Sequence, residues 1–75
     1  MSSMISKITA EDRRTAADLL DDLQAVLGAA DVKLPSLGID WHSAKATGLI
    51  LIDLGAARPD VIERLVVVLR RGMRP

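Results

Sequence analysis

Apolar residues recur along this chain in three different rhythms, which together predict four elements. From Ala16 the apolar positions are Leu19, Leu20, Leu23, Val26, Leu27 and Ala30, spaced by threes and fours. At about 100° per residue they fill an arc of about 120°, the stripe of a helix that faces a core. Glu11, Arg14, Asp18, Asp21, Asp22 and Ala25 fall on the opposite side. Thr9 supplies an N-cap with Asp12 three positions later, so the helix is predicted over residues 10–29. Next, Leu37, Ile39 and Trp41 alternate with Gly38, Asp40 and His42, the period of a half-buried strand. Residues 43–48 read as a loop. Leu49 to Leu54, fenced by Gly48 and Gly55, reads as a second strand, and the short connection makes the two an antiparallel hairpin. The last rhythm is helical again. Pro59 fits a first helical position, Asp60 and Glu63 sit at the positive end, Arg70 and Arg71 sit at the negative end, and Gly72 suits a left-handed cap. Val61, Ile62, Leu65, Val66, Val68 and Leu69 share an arc of about 160° on this helix.

The expected architecture is therefore α+β in the order α-β-β-α, two helices packed on a β-hairpin. Residues 1–8 have no capping or turn logic and are expected to form a flexible N-terminus, leaving residues 9–75 as a single small domain. Composition agrees and narrows the class. Of 75 residues, 49% are apolar, ten are basic and ten acidic, one is aromatic and none is cysteine. Disulfide scaffolds and cysteine-ligated metal centres are excluded, and net charge gives no general affinity for nucleic acid. No apolar run reaches the roughly 18 residues that span a bilayer, and the N-terminus lacks the apolar core of a signal peptide, so a cytoplasmic location without a membrane span is expected.

Candidate chemistry is sparse. Asp40 and His42, two apart on a predicted strand, would share a face, with Asp53 near them on the partner strand. An aspartate orienting a histidine is half of a base catalyst. Ser43 adjoins His42 and would point the other way, so no nucleophile joins them, and no catalytic residue is assigned. A lone histidine among scattered carboxylates makes a poor metal site, and neither phosphate-cradling glycine motif is present, so no metal and no cofactor is expected. Gly38-Ile39-Asp40 resembles the opening of the Gly-x-Asp-Ser motif of acyl carrier proteins. Trp41 stands where that motif needs its serine, and the match is rejected.

Charge is uneven along the chain. Residues 11–31 carry six acids and two bases, whereas residues 54–75 carry five bases and two acids. Arg58, Arg64, Arg70, Arg71 and Arg74 are candidate anion contacts, which makes a nucleic-acid-associated transcriptional regulator the alternative reading. Asp60 and Glu63 interrupt that patch.

The leading expectation comes from surplus apolar surface. A domain of this size is marginal without disulfides, metal or association. The second predicted strand is apolar on both faces, with Ile50, Ile52 and Leu54 on one and Leu49 and Leu51 on the other. Two helices cover one face, and a second copy is the simplest cover for the other. Trp41 and Val67 are added to the expected interface. The sequence thus reads as a small non-enzymatic interaction protein, an adaptor, regulatory accessory or self-assembling subunit. It would homo-oligomerise through its apolar hairpin, with itself or another protein as partner rather than nucleic acid.

Overall fold

A computed structural model describes residues 8–74, so the expectation for the N-terminus falls, Ile8 apart, outside the described residues. Five elements follow one another: α1 (Ala10–Ala29), β1 (Gly38–Asp40), α2 (Trp41–Thr47), β2 (Leu51–Asp53) and α3 (Pro59–Gly72). The strands pair antiparallel, with Gly38 opposite Asp53, Ile39 opposite Ile52 and Asp40 opposite Leu51. The architecture is mixed α+β around a hairpin, as the alternation of Leu37, Ile39 and the apolar run after Gly48 implies.

α1 has the predicted bounds and the predicted start. The Asp12 N–H donates to Thr9 Oγ1 at 3.0 Å, and the Thr9 N–H donates to Asp12 Oδ2 at 3.2 Å, a reciprocal capping box. Its other end is closed by a motif that needs a left-handed residue. Asp31, at φ 58°, lets its own N–H donate to Gly28 O and the Val32 N–H donate to Leu27 O. That is the Schellman pattern, and Leu27 and Val32, the two positions that usually carry its apolar contact, are both buried.

The expected α-β-β-α order is corrected by α2, which occupies the stretch read as the end of one strand and a loop. The strand stops at Asp40 because that residue caps a helix: its carboxylate accepts the backbone N–H of Ser43. Ala44 and Ala46 favour the helix that follows, and Gly48, at φ 77°, ends it in the left-handed region. Trp41 and His42 are therefore helical, and the apolar alternation continued one step past the strand. Thr47 ties the helix end, donating from its hydroxyl to Ser43 O at 2.8 Å and accepting the Leu49 N–H. The second strand is also shorter than its apolar run, spanning Leu51–Asp53 rather than residues 49–54.

α3 begins at Pro59 as predicted, with an uncapped Arg58 before it. Gly72 is not its left-handed terminator. It is the last helical residue, and Met73 caps the helix in right-handed geometry. The left-handed glycine of this region is Gly55, at φ 73°, where the chain leaves β2 toward α3.

Packing departs most from expectation. α1 lies on β1 and α2 folds back on β2, while α3 makes only marginal contact with the other elements. The buried apolar residues are Ala16, Leu27, Val32 and Ala44, and none of them belongs to α3. The radius of gyration is 15.2 Å, against about 11 Å for a globular chain of this length. The described residues of a single copy thus enclose a very small core.

Candidate functional site

Asp40 makes two side-chain hydrogen bonds, as many as any side chain among the described residues. Besides the Ser43 N–H on Oδ1 at 3.1 Å, its Oδ2 accepts the Ser43 hydroxyl at 2.7 Å. These two bonds, the hydroxyl first, hold the carboxyl below its ordinary range, with smaller help from neighbouring His42. Both are local contacts that begin α2. The expected shared face of Asp40 and His42 is not formed, because Asp40 ends a strand and His42 lies exposed in the first turn of a helix. Ser43, expected to point away, is instead the partner of Asp40. Asp53 pairs with Gly38 at the far end of the short ladder and accepts the Gly55 N–H at 2.8 Å. Among the described residues, no three His, Asp or Glu side chains gather where a metal ion would bind.

Of the arginines read as anion contacts, Arg64 and Arg71 line one open cleft, together with Asp60 and Glu63. Arg58 reaches Asp60 at 3.2 Å, and Arg64 lies 3.8 Å from Asp31. All four side chains are largely exposed, so these pairs contribute little. On α3, Arg70 and Arg71 are about 100° apart around the axis, and Glu63 shares the flank of Arg70.

The expected apolar interface fares differently at its different residues. Ile50 and Ile52 are half-buried, whereas Leu49, Leu51 and Leu54 are exposed. The strand therefore turns one apolar face inward and leaves Leu51 with Leu49 on the other. Leu54 was expected with Ile50 and Ile52, but the strand has ended before it. Trp41 leaves the strand and lies 45% exposed at the start of α2, above a hollow shared with Arg13, Ala44 and Lys45. Val67 is exposed where α3 passes the end of α1, in an open cleft of about 630 Å³ that Ala29, Ala30, Arg64 and Arg71 also line.

One exposed apolar feature lies on α3, outside the strand-centred reading. The apolar arc of α3 divides along its length. Val61, Leu65 and Val68 are half-buried toward the rest of the chain, while Ile62, Val66, Leu69 and Met73 are exposed. Those four follow one another at intervals of four, three and four, the spacing of a helix-pairing seam. The sequence shows the arc of about 160° but not how it divides between the chain and solvent. Leu19 and Val26 on α1 are likewise exposed, at the edge of a stripe that buries Ala16 and Leu27. No long apolar helix able to cross a membrane occurs among the described residues. Compared with known proteins, the chain matches no family model, no curated protein and no solved structure.

Proposed function

We propose that the chain is a small, non-enzymatic interaction protein that works as a self-associating subunit, with the outward face of its hairpin as a contact between copies. One observation carries this reading. The described chain buries four apolar residues, none of them large and wholly enclosed, while leucines, valines and an isoleucine of α1, α3 and the hairpin, and Trp41 of α2, stay exposed. At about 25 cal/mol per Å² of apolar surface removed from water, so small a core does little to offset the entropy of ordering the chain. Association supplies the missing burial. Asp40, the residue that would anchor a catalytic reading, is engaged in capping α2, which favours a structural role for it.

The test is molecular mass in solution together with concentration-dependent stability. Light scattering at micromolar concentration is expected to give a mass above the 8.1 kDa of one chain, and the melting midpoint is expected to rise with concentration. A cooperatively folded monomer whose midpoint is independent of concentration refutes the proposal.

A further inference from the structure

The geometry points to α3 as a self-pairing helix: two copies join antiparallel through Ile62, Val66, Leu69 and Met73, with Glu63 of each copy beside Arg70 of the other. This rests on the self-association proposed above and adds a contact separate from the hairpin.

The four residues are outward, Leu69 at 57% and Met73 at 81% exposure, on a helix with no buried residue. Their four-three-four spacing keeps them on one line along the 14-residue helix and its C-cap, Met73. A solvated helix gains nothing from such a line, whereas a second helix fills it with interlocking side chains.

What occupies the line follows from the charges beside it. Glu63 and Arg70 each directly follow a seam residue, Ile62 and Leu69, so both flank the seam on the same side. Neither belongs to an ion pair among the described residues. In a parallel pair, this flank meets the opposite flank of the partner, which carries Leu65 and Gly72, and no charges match. In an antiparallel pair, the flank meets its own copy, and Glu63 and Arg70 exchange opposite charges. The registers agree as well. The seam is symmetric about a point midway between residues 67 and 68, and the Glu63–Arg70 pair about a point midway between 66 and 67. Those centres are about 1.5 Å apart along the axis, so a shared two-fold offsets Glu63 from Arg70 of the other copy by about 3 Å, which long side chains span. One two-fold axis thus serves both the apolar line and the charges. Antiparallel pairing also places each helix's positive end beside the partner's negative end. A second copy of this helix fits the surface on all three counts.

The experiment separates this contact from the hairpin by working in a Leu51→Lys background, where the hairpin face carries a charge. Sedimentation equilibrium of that variant is expected to show a dimer. Glu63→Arg or Arg70→Glu alone places like charges across the seam twice and is expected to weaken the dimer about tenfold. The double variant Glu63→Arg with Arg70→Glu restores the opposite pairing and is expected to recover the parent affinity. Circular dichroism checks that helix content is unchanged throughout. Recovery in the double variant requires the antiparallel exchange. If wild type associates but Leu51→Lys alone is monomeric, this inference fails while the self-association reading survives. If the background dimer persists and ignores both charge reversals, or if the double variant stays weak, the antiparallel seam is wrong. A monomeric wild type defeats both.

Discussion

The backbone N–H of Val32 donates to the carbonyl of Leu27 at 2.8 Å, and both side chains are among the few that the chain buries. This closure joins the longest helix to the linker that leads into β1, and it depends on Asp31 holding φ 58° between them. A side chain in that region carries a steric cost that glycine avoids. Asp31→Gly is therefore expected to stabilise the chain by about 0.5–1 kcal/mol, raising the melting midpoint by a few degrees. The lost contact with Arg64 is exposed and offsets little of that. Asp31→Val is expected to act in the opposite direction, because branching at Cβ worsens the same clash. Thermal melts of the two variants check the sign.

Asp40 makes the start of α2 sensitive to acid. Its carboxyl is held below the ordinary value of 3.8 by the Ser43 hydroxyl and N–H. A depressed folded-state pKa means that ionised Asp40 favours the folded chain above its unfolded value, and that this contribution disappears as pH falls through the lower folded value. Asp40→Ala is expected to lower the melting midpoint by a few degrees near neutral pH, and Asp40→Asn by less, since an amide oxygen still caps. The gap between wild type and Asp40→Asn is expected to close as pH drops below 3.8. A gap that persists unchanged at lower pH contradicts the assignment.

Gly55 is fixed by two separate demands. Its φ is 73°, and a Cβ there would stand 2.5 Å from Ser36 Cβ and 3.1 Å from Ser36 C. Gly55→Ala is expected to cost about 1–3 kcal/mol, from backbone strain and from pushing the linker off the end of β2. Combining it with Ser36→Gly removes the contact with Ser36 Cβ and is expected to recover part of the loss. The backbone penalty remains at about 1 kcal/mol. Denaturant melts of the single and double variants measure the partition.

These residues mark how far the sequence could be read. Thr9, Asp12 and Pro59 carry local signals that act within one helical turn, so the starts of α1 and α3 were legible. The hairpin was legible from the apolar runs on either side of Gly48. α2 was not, because Trp41 extends the alternation of Leu37 and Ile39 by one step, and that step outweighed the capping pair Asp40 and Ser43. Asp31 and Gly72 show the same limit in reverse. Glycine is the usual left-handed terminator, yet α1 ends on an aspartate and α3 passes through its glycine, since the following contacts decide which cap forms. On α3 the apolar arc was visible, but periodicity gives the width of a stripe and not its occupant. Only the placement of Val61, Leu65 and Val68 against the chain reveals that Ile62, Val66 and Leu69 face outward.

The hairpin contact is tested by two lysines placed on opposite faces of the same strand. Leu51 points outward at the end of the ladder, opposite Asp40, so Leu51→Lys keeps its ammonium in water and near a carboxylate. The isolated chain tolerates that change, and its helix content is expected to remain. Between copies, the same lysine loses its hydration against an apolar surface, which is unfavourable by several kcal/mol without a partner. Leu51→Lys is therefore expected to take a larger assembly down to the dimer joined through α3, with Leu49→Lys acting in the same direction. Ile52→Lys supplies the contrast. Ile52 is half-buried and paired with Ile39, so its lysine is expected to disrupt the fold itself and to lower helix content before any change in mass is meaningful. If Leu51→Lys and wild type have the same mass across micromolar concentrations while the charge reversals on α3 dissociate both, the outward face of β2 is not a contact between copies, and the assembly is carried by the helix alone.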